Sequence, residues 1–296
     1  MYAVIAGSSG FLGSRLVSSM RRHGHTVTTL VRREARTPHE RRWDPYDGAL
    51  AADVLAGVDV VVNLAGSPTA GNPHSKSWAR ELRESRVTTT RVLAEAIAAA
   101  DEPPRFLAGN GISFYGDHGP DSLGEGADSR GDALLTQVTR DWQAATTAAT
   151  GAGARVCVLR TAPVIDRRNP PMKQLLPLFK AGLGARLGSG TQHFPIISLR
   201  DWIGGVCFLA ESHDVEGPFN LCCPDTPTNA EFTQALADAV GRRARLAAPS
   251  WLLKPAAGSM APEVLGSVNA RPEALERAGY DFRDQDVRDV IASALG

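Results

Sequence analysis

Cysteine is scarce in this chain of 296 residues: four copies, at 157, 207, 222 and 223, with no C-x-x-C spacing among them. That excludes a disulfide framework and a paired-cysteine motif, and it leads us to expect a reduced, cytoplasmic protein. Cys157 and Cys207 lie in apolar stretches that read as core, while the adjacent Cys222 and Cys223 fit either strand-end packing or a redox pair. Net charge is also missing, because 32 Lys and Arg balance 32 Asp and Glu. A neutral chain has no general pull toward nucleic acid or a membrane surface. No apolar run approaches the roughly 20 residues of a bilayer span, and the N-terminus reads as a strand rather than a leader. There is no G-x-S-x-G hydrolase elbow, no glycine before any of the lysines at 76, 173, 180 and 254, and no histidine spacing suited to zinc.

Glycine, by contrast, is plentiful and ordered at the start. A short apolar run over 2–6 breaks at Gly7, and Gly10 and Gly13 follow at three-residue intervals. Leu12, Leu16 and Met20 then recur every fourth residue, the period of a helix. This spacing has a specific physical use. Gly7 permits a tight turn, Gly10 lets a pyrophosphate approach the backbone, and Gly13 lets helix and strand pack closely. The free amides of the helix start then face an anion. A strand before and an amphipathic helix after supply the context that a dinucleotide-binding motif requires.

The next strand, over 25–31, ends in Arg32 and Arg33. Sites that prefer NAD usually carry an acidic residue here for the ribose 2′-hydroxyl, whereas a guanidinium suits the 2′-phosphate of NADP(H). Arg36, Arg41 and Arg42 follow, so a solvated basic loop is the other reading. A third strand over 58–64 is a continuous β-branched run, buried on both faces. It leaves through Asn63-Leu64-Ala65-Gly66, whose small residues make room for a cofactor. A long helix over 78–100 offers Leu82, Val87, Leu93 and Ile97 to a sheet. A strand over 105–108, a helix over 132–150 and a strand over 155–160 continue the alternation. The fold class expected is α/β: a Rossmann-type doubly wound parallel sheet over 1–165, with a smaller C-terminal α+β substrate lobe over 166–296. Residues 194–221 are expected to return to the first part. In the lobe, 182–190 reads as a glycine-rich loop, Asp201 as the cap of a helix through 210, and Thr228 with Glu231 as a capping box. Two smaller helical pieces are expected to end the chain.

These residues together resemble an extended short-chain dehydrogenase/reductase, in its atypical branch of epimerase-family (sugar-nucleotide-epimerase-like) proteins. The resemblance runs nearly end to end. It rests on the glycine motif, Val31-Arg32, Trp43-Asp44-Pro45, Asn63 to Gly66, Glu81, the run 84–90, Phe114-Tyr115-Gly116, Asp141-Trp142, the glycine motifs at 182–190 with Gln192, and 228–232. It implies an NADP(H) site in which Gly7, Ser9, Gly10, Phe11, Leu12 and Gly13 hold the pyrophosphate. Val31 and Arg32 would meet the adenosine phosphate end, and Leu64 and Ala65 the ribose. Glu81 and Arg86 would face the cofactor or simply pair with each other. Val164 would sit beside the nicotinamide or serve as core. Reductases of the wider superfamily use a Tyr with a Lys four residues later as the acid/base device. No tyrosine here has such a lysine, and the usual Ser-Ala step is Asn110-Gly111. Asn110, Ser113 and Tyr115 are therefore the candidates for polar contact with a substrate oxygen, with packing beneath a loop the other role open to Tyr115.

Two functions stay open at this point. One is an NADP-dependent oxidoreductase or epimerase acting on a carbonyl or hydroxyl carbon of a small molecule. The other is a catalytically silent NADP(H)-binding regulator. No metal, nucleic-acid or membrane partner is expected. The resemblance makes a homodimer through the helices at 78–100 and 132–150 one expectation, although the sheet alone could cover them.

Overall fold

The computed structural model describes residues 1–296, with the side chains of 52 and 171 left aside. The chain begins with β1 (Tyr2–Ala6), α1 (Phe11–Arg22), β2 (Thr26–Val31), β3 (Glu40–Arg42), β4 (Val60–Asn63), α2 (Lys76–Ala98) and β5 (Arg105–Gly111). It continues through β6 (Ser122–Leu123), α3 (Leu134–Ala144), α4 (Thr147–Gly151), β7 (Val156–Thr161), β8 (Val164–Ile165), α5 (Pro170–Lys180), β9 (Ala185–Leu187) and β10 (Ile197–Ser198). Next come α6 (Leu199–Glu211), β11 (Gly217–Leu221), α7 (Asn229–Ala239), β12 (Leu246–Ala248), α8 (Ser250–Ala257), α9 (Ala261–Leu265), β13 (Asn269–Ala270), α10 (Glu273–Arg277) and α11 (Val287–Leu295).

Seven strands form one sheet in the order β11-β7-β5-β4-β1-β2-β3. The pairs β1–β2, β1–β4, β2–β3 and β4–β5 are parallel. This is the doubly wound Rossmann arrangement expected from the alternation of strands and helices. Its strand order reverses between β1 and β4, which opens a crevice at their carboxyl ends. The chain divides into two compact units, one of 1–110, 138–159 and 206–218, the other of 111–137, 160–205 and 219–296. The core of the first packs Val4, Val61, Leu93, Ile97 and Phe106, together with Trp43. The core of the second packs Met172, Phe179, Phe232, Leu236 and Ile291.

Several local expectations are corrected. The helix expected over 132–150 is two pieces, α3 and α4. The loop over 182–190 contains a strand, β9, which pairs with β12 in parallel. Propensity misses it because a three-residue strand needs its distant partner to exist. Four α-helices and a short 3-10 turn, rather than two helical pieces, lie within 250–295. Asp201 does not cap α6; the Ser198 hydroxyl accepts its amide (3.1 Å) one turn earlier. The Asp201 carboxylate instead accepts from the Tyr280 hydroxyl (3.0 Å) and from the amides of Arg283 (3.0 Å) and Asp284 (2.8 Å). The capping box of α7 is present as expected. On α2, Leu82, Leu93 and Ile97 are buried, but so are the polar Ser85, Thr89 and Thr90.

The tightest constraint sits between β1 and α1. A Cβ placed on Gly13 would lie 2.2 Å from the Gly7 carbonyl oxygen, closer than non-bonded atoms come. Gly13→Ala is expected to cost about 1–3 kcal/mol by overpacking. Urea unfolding measures this, and an unchanged midpoint would show that α1 can back away from β1 freely.

Candidate functional site

The first unit contains a cleft of about 1200 Å³ at the carboxyl ends of β1, β2 and β4. Its wall gathers eight of the cofactor residues expected from sequence: Gly7, Ser9, Gly10, Val31, Arg32, Leu64, Ala65 and Glu81. Gly7 turns the chain at φ +78°, and a side chain there would collide with the Leu64 backbone at 2.4 Å. The turns leaving β1 and β4 are therefore in contact, with the Leu64 amide donating to the Ala6 carbonyl (3.0 Å). A Cβ on the exposed Gly10 would meet only the Gly7 oxygen, at 3.3 Å. The face of Gly10 away from that oxygen is open. Among the described residues no side chain caps α1, and the first amides of a helix have no acceptor within it. These features fit a dinucleotide pyrophosphate.

A family model described as the NAD dependent epimerase/dehydratase family matches residues 3–222. The chain belongs to that family. A second model, a domain of unknown function (DUF1731), matches residues 248–294. An epimerase family protein of Mycobacterium bovis, Mb2239, is 40% identical over 99% of this chain and 95% of its own. Human epimerase family protein SDR39U1 is 32% identical over 95% of both. The crystal structure of the human protein (isoform 2) with NADPH matches at a TM-score of 0.87 and 28% identity, covering 99% of each chain. MoeE5 in complex with UDP-glucuronic acid and NAD matches at 0.76 and 21% identity over 100% of this chain and 98% of its own, a likeness of fold. The chain thus has an NAD(P)-binding epimerase-family fold.

Within this epimerase-family cleft the two arginines after β2 are not equivalent. Arg33 grips Glu40 through both guanidinium nitrogens (2.9 and 2.6 Å), and the Arg36 amide adds a third bond to that carboxylate (2.7 Å). The Arg33 hydrogen bond above all holds the Glu40 carboxyl down at about 2. Arg42 stands beside Glu34 (3.3 Å) and Arg41 donates to backbone carbonyls. Arg32 lines the cleft, exposed, with no acidic partner among the described residues.

The remaining cofactor candidates sit around this wall or apart from it. Phe11, Leu12 and Gly13 form the first turn of α1, with Arg15 stacked over the Phe11 ring (3.9 Å). Glu81 and Arg86 do not pair. Arg86 donates to the Leu82 carbonyl (3.0 Å) and the Thr69 hydroxyl (3.1 Å) and lies over Trp142 (5.2 Å), and burial pushes its guanidinium down to about 10. Val164 belongs to the second unit, buried in β8 beside β10. Sequence reading missed the polar inner face of α2. Asn63 donates to Thr90 (2.9 Å) and accepts from the Ala65 amide (3.0 Å), while Ser85 accepts from the Ser67 amide (2.9 Å). Trp142 also donates to Thr90 (2.7 Å). The signal available was the run Thr88-Thr89-Thr90 inside a helix, where apolar residues would be expected. Tyr46, Glu84 and Thr89, also on the cleft wall, were missed as well.

The three catalytic candidates separate. Asn110 is buried in the first unit, donating to the Thr139 carbonyl (3.1 Å). Tyr115, in the second, is fully buried. Its hydroxyl donates to Asn220 Oδ1 (2.7 Å) and accepts from Arg160 (2.9 Å), and burial pushes it up. Ser113 is half-buried and donates to the Glu263 carboxylate (2.6 Å). Burial raises the Glu263 carboxyl and the Ser113 hydrogen bond partly offsets this. Arg200 is bound by Asp284 through two nitrogens. All four cysteines are buried and free, and burial holds Cys223 up at about 12, so neither member of the vicinal pair is a ready thiolate.

Tyr115→Phe removes a hydroxyl that satisfies two buried groups. The expected cost is about 1–3 kcal/mol of stability, measured by chemical denaturation, and a neutral result would mean water reaches Asn220 and Arg160. For Glu263, a folded-state value above the unfolded one favours the folded protein at low pH, and that contribution is lost as pH rises through the raised value. Glu263→Gln is thus expected to stabilise the protein above neutrality and to match it below about pH 4.5, the carboxyl's ordinary value. Unfolding curves at the two pH values decide it, and a Gln variant weaker at high pH would refute the sign.

Proposed function

We propose that this chain is an NADP(H)-dependent oxidoreductase or epimerase acting on a carbonyl or hydroxyl carbon of a small molecule. The observation that carries the coenzyme choice is Arg32, a guanidinium on the cleft wall with no ion-pair partner among the described residues, while Arg33 is committed to Glu40. A doubly charged 2′-phosphate complements such a group, and a neutral 2′-hydroxyl does not. In this reading the first amides of α1 bind the pyrophosphate beside Ser9 and Gly10, and Leu64 and Ala65 pack on ribose. When bound, the nicotinamide supplies or accepts the hydride. In this reading residues 1–165, with 194–221 returning to them, act as the cofactor part and the rest of 166–296 as the substrate part. NADPH in the human relative's structure supports the same choice.

No tyrosine has a lysine four residues on, so the proton must be handled by another group. Ser113, hydrogen-bonded to a carboxyl that burial makes a weaker acid, can pass a proton to and from a substrate oxygen. The closed surroundings of Tyr115 favour the second reading, a silent NADP(H)-binding regulator.

Arg32→Ala is expected to weaken NADPH binding by roughly 10- to 100-fold, from the loss of charge-assisted hydrogen bonds, and to leave NADH unchanged. Calorimetry with both coenzymes tests this, and an equal effect on the two would overturn the assignment of Arg32. Turnover of NADPH with aldehydes, ketones and keto-sugars separates enzyme from regulator: tight binding with no oxidation across the panel selects the regulator.

A further inference from the structure

Tyr46 lines the cleft yet leaves 60% of its surface in contact with water. The other exposed large apolar side chains among the described residues, Leu178, Leu183, Leu246, Trp251 and Leu252, all belong to the second unit. An uncovered aromatic face on the wall of a binding cleft is costly unless a partner covers it.

Its position is fixed by the turn that carries it. The Trp43 amide donates to the Val31 carbonyl (2.8 Å), tying the turn to the end of β2, one residue before Arg32. Trp43 itself is buried in the first unit's core. The Asp44 carboxylate accepts from the Tyr46 amide (3.1 Å), and the Asp44 carbonyl accepts from the Asp47 amide (3.1 Å). A turn anchored by a buried tryptophan and closed by an Asx bond presents the phenol ring in one place. Charged side chains surround it. The Tyr46 hydroxyl feels the positive field of Arg32 and the negative fields of Glu84, Glu81 and Asp44. Arg32, Glu81 and Glu84 share the cleft wall with Tyr46.

We infer that Tyr46 is the platform on which the adenine ring of the coenzyme stacks, with Arg32 beside it for the 2′-phosphate and the carboxylates of Glu81 and Glu84 as acceptors for the exocyclic amine of the base. The chemistry selects adenine over guanine, because an exocyclic amine donates to a carboxylate and a guanine carbonyl in the same place is repelled by it. This inference rests on the coenzyme reading above. It adds a residue that the glycine motif and the arginine do not include.

The test uses the full chain, with NADPH and with adenosine 2′,5′-bisphosphate, a probe that has the base and the 2′-phosphate but no nicotinamide. Stacking of one base on one aromatic side chain predicts that Tyr46→Ala weakens both ligands by about 5- to 100-fold. Tyr46→Phe, which keeps the face and loses the hydroxyl, is expected to bind both as the parent does. If Tyr46→Ala binds both ligands unchanged while Arg32→Ala still loses NADPH, the platform is refuted and the coenzyme reading stands. Loss in Tyr46→Phe equal to that in Tyr46→Ala refutes it too, since the hydroxyl rather than the ring face would then matter. If the parent protein binds neither ligand, the coenzyme reading fails and takes this inference with it.

Discussion

The close approach of α1 to β1 is the constraint on which the cleft depends. With no Cβ on Gly13, the helix sits against the Gly7 carbonyl, and with none on Gly7 the same turn sits against Leu64. Two strand exits and one helix start are thereby held within contact of each other. Backbone amides at that helix start can serve an anion only if they are held there before it arrives, because ordering them on binding would consume the affinity. Packing without side chains is what makes the site rigid.

The second layer of support is polar, with Ser67 and Ser85 on the cleft wall and Asn63, Thr90 and Trp142 behind it. Asn63 at the end of β4 reaches Thr90, Trp142 reaches the same hydroxyl, and Ser85 reaches the amide of Ser67. They tie α2 to the end of β4, to α3 and to the loop after β4. Such bonds fix a loop because breaking one strands a buried donor or acceptor. The same logic explains the division among the basic residues after β2. Glu40 binds Arg33 and the Arg36 amide, which removes one guanidinium from service and leaves Arg32 facing the cleft.

In the second unit, buried charge is tied down by networks. Arg160 stacks on Phe114 (3.6 Å) and donates to the Tyr115 hydroxyl and the Glu125 carbonyl. Asp201 gathers the backbone of Arg283 and Asp284, and Asp284 in turn holds Arg200. These links join segments far apart in the chain. They account for Asp201, whose sequence context suggested a helix cap. Ser113 and Glu263, both half-buried, are joined by a hydrogen bond in the same unit.

By itself the sequence determined the Rossmann sheet, the glycine turn and the family, since each follows from local periodicity and from residues adjacent in the chain. It also placed eight residues on one cleft wall, because strand exits of a doubly wound sheet converge by topology. Only tertiary structure decided which of two neighbouring arginines stays free, that α2 turns threonines inward, that Glu263 meets Ser113 across 150 positions, and that a three-residue strand forms at 185–187. The last three depend on a partner distant in sequence, and the first on the turn that brings Glu40 back to Arg33 seven residues earlier. Propensity and spacing describe what a segment can do, whereas the identity of its neighbour fixes which charge is neutralised and which hydroxyl is enclosed.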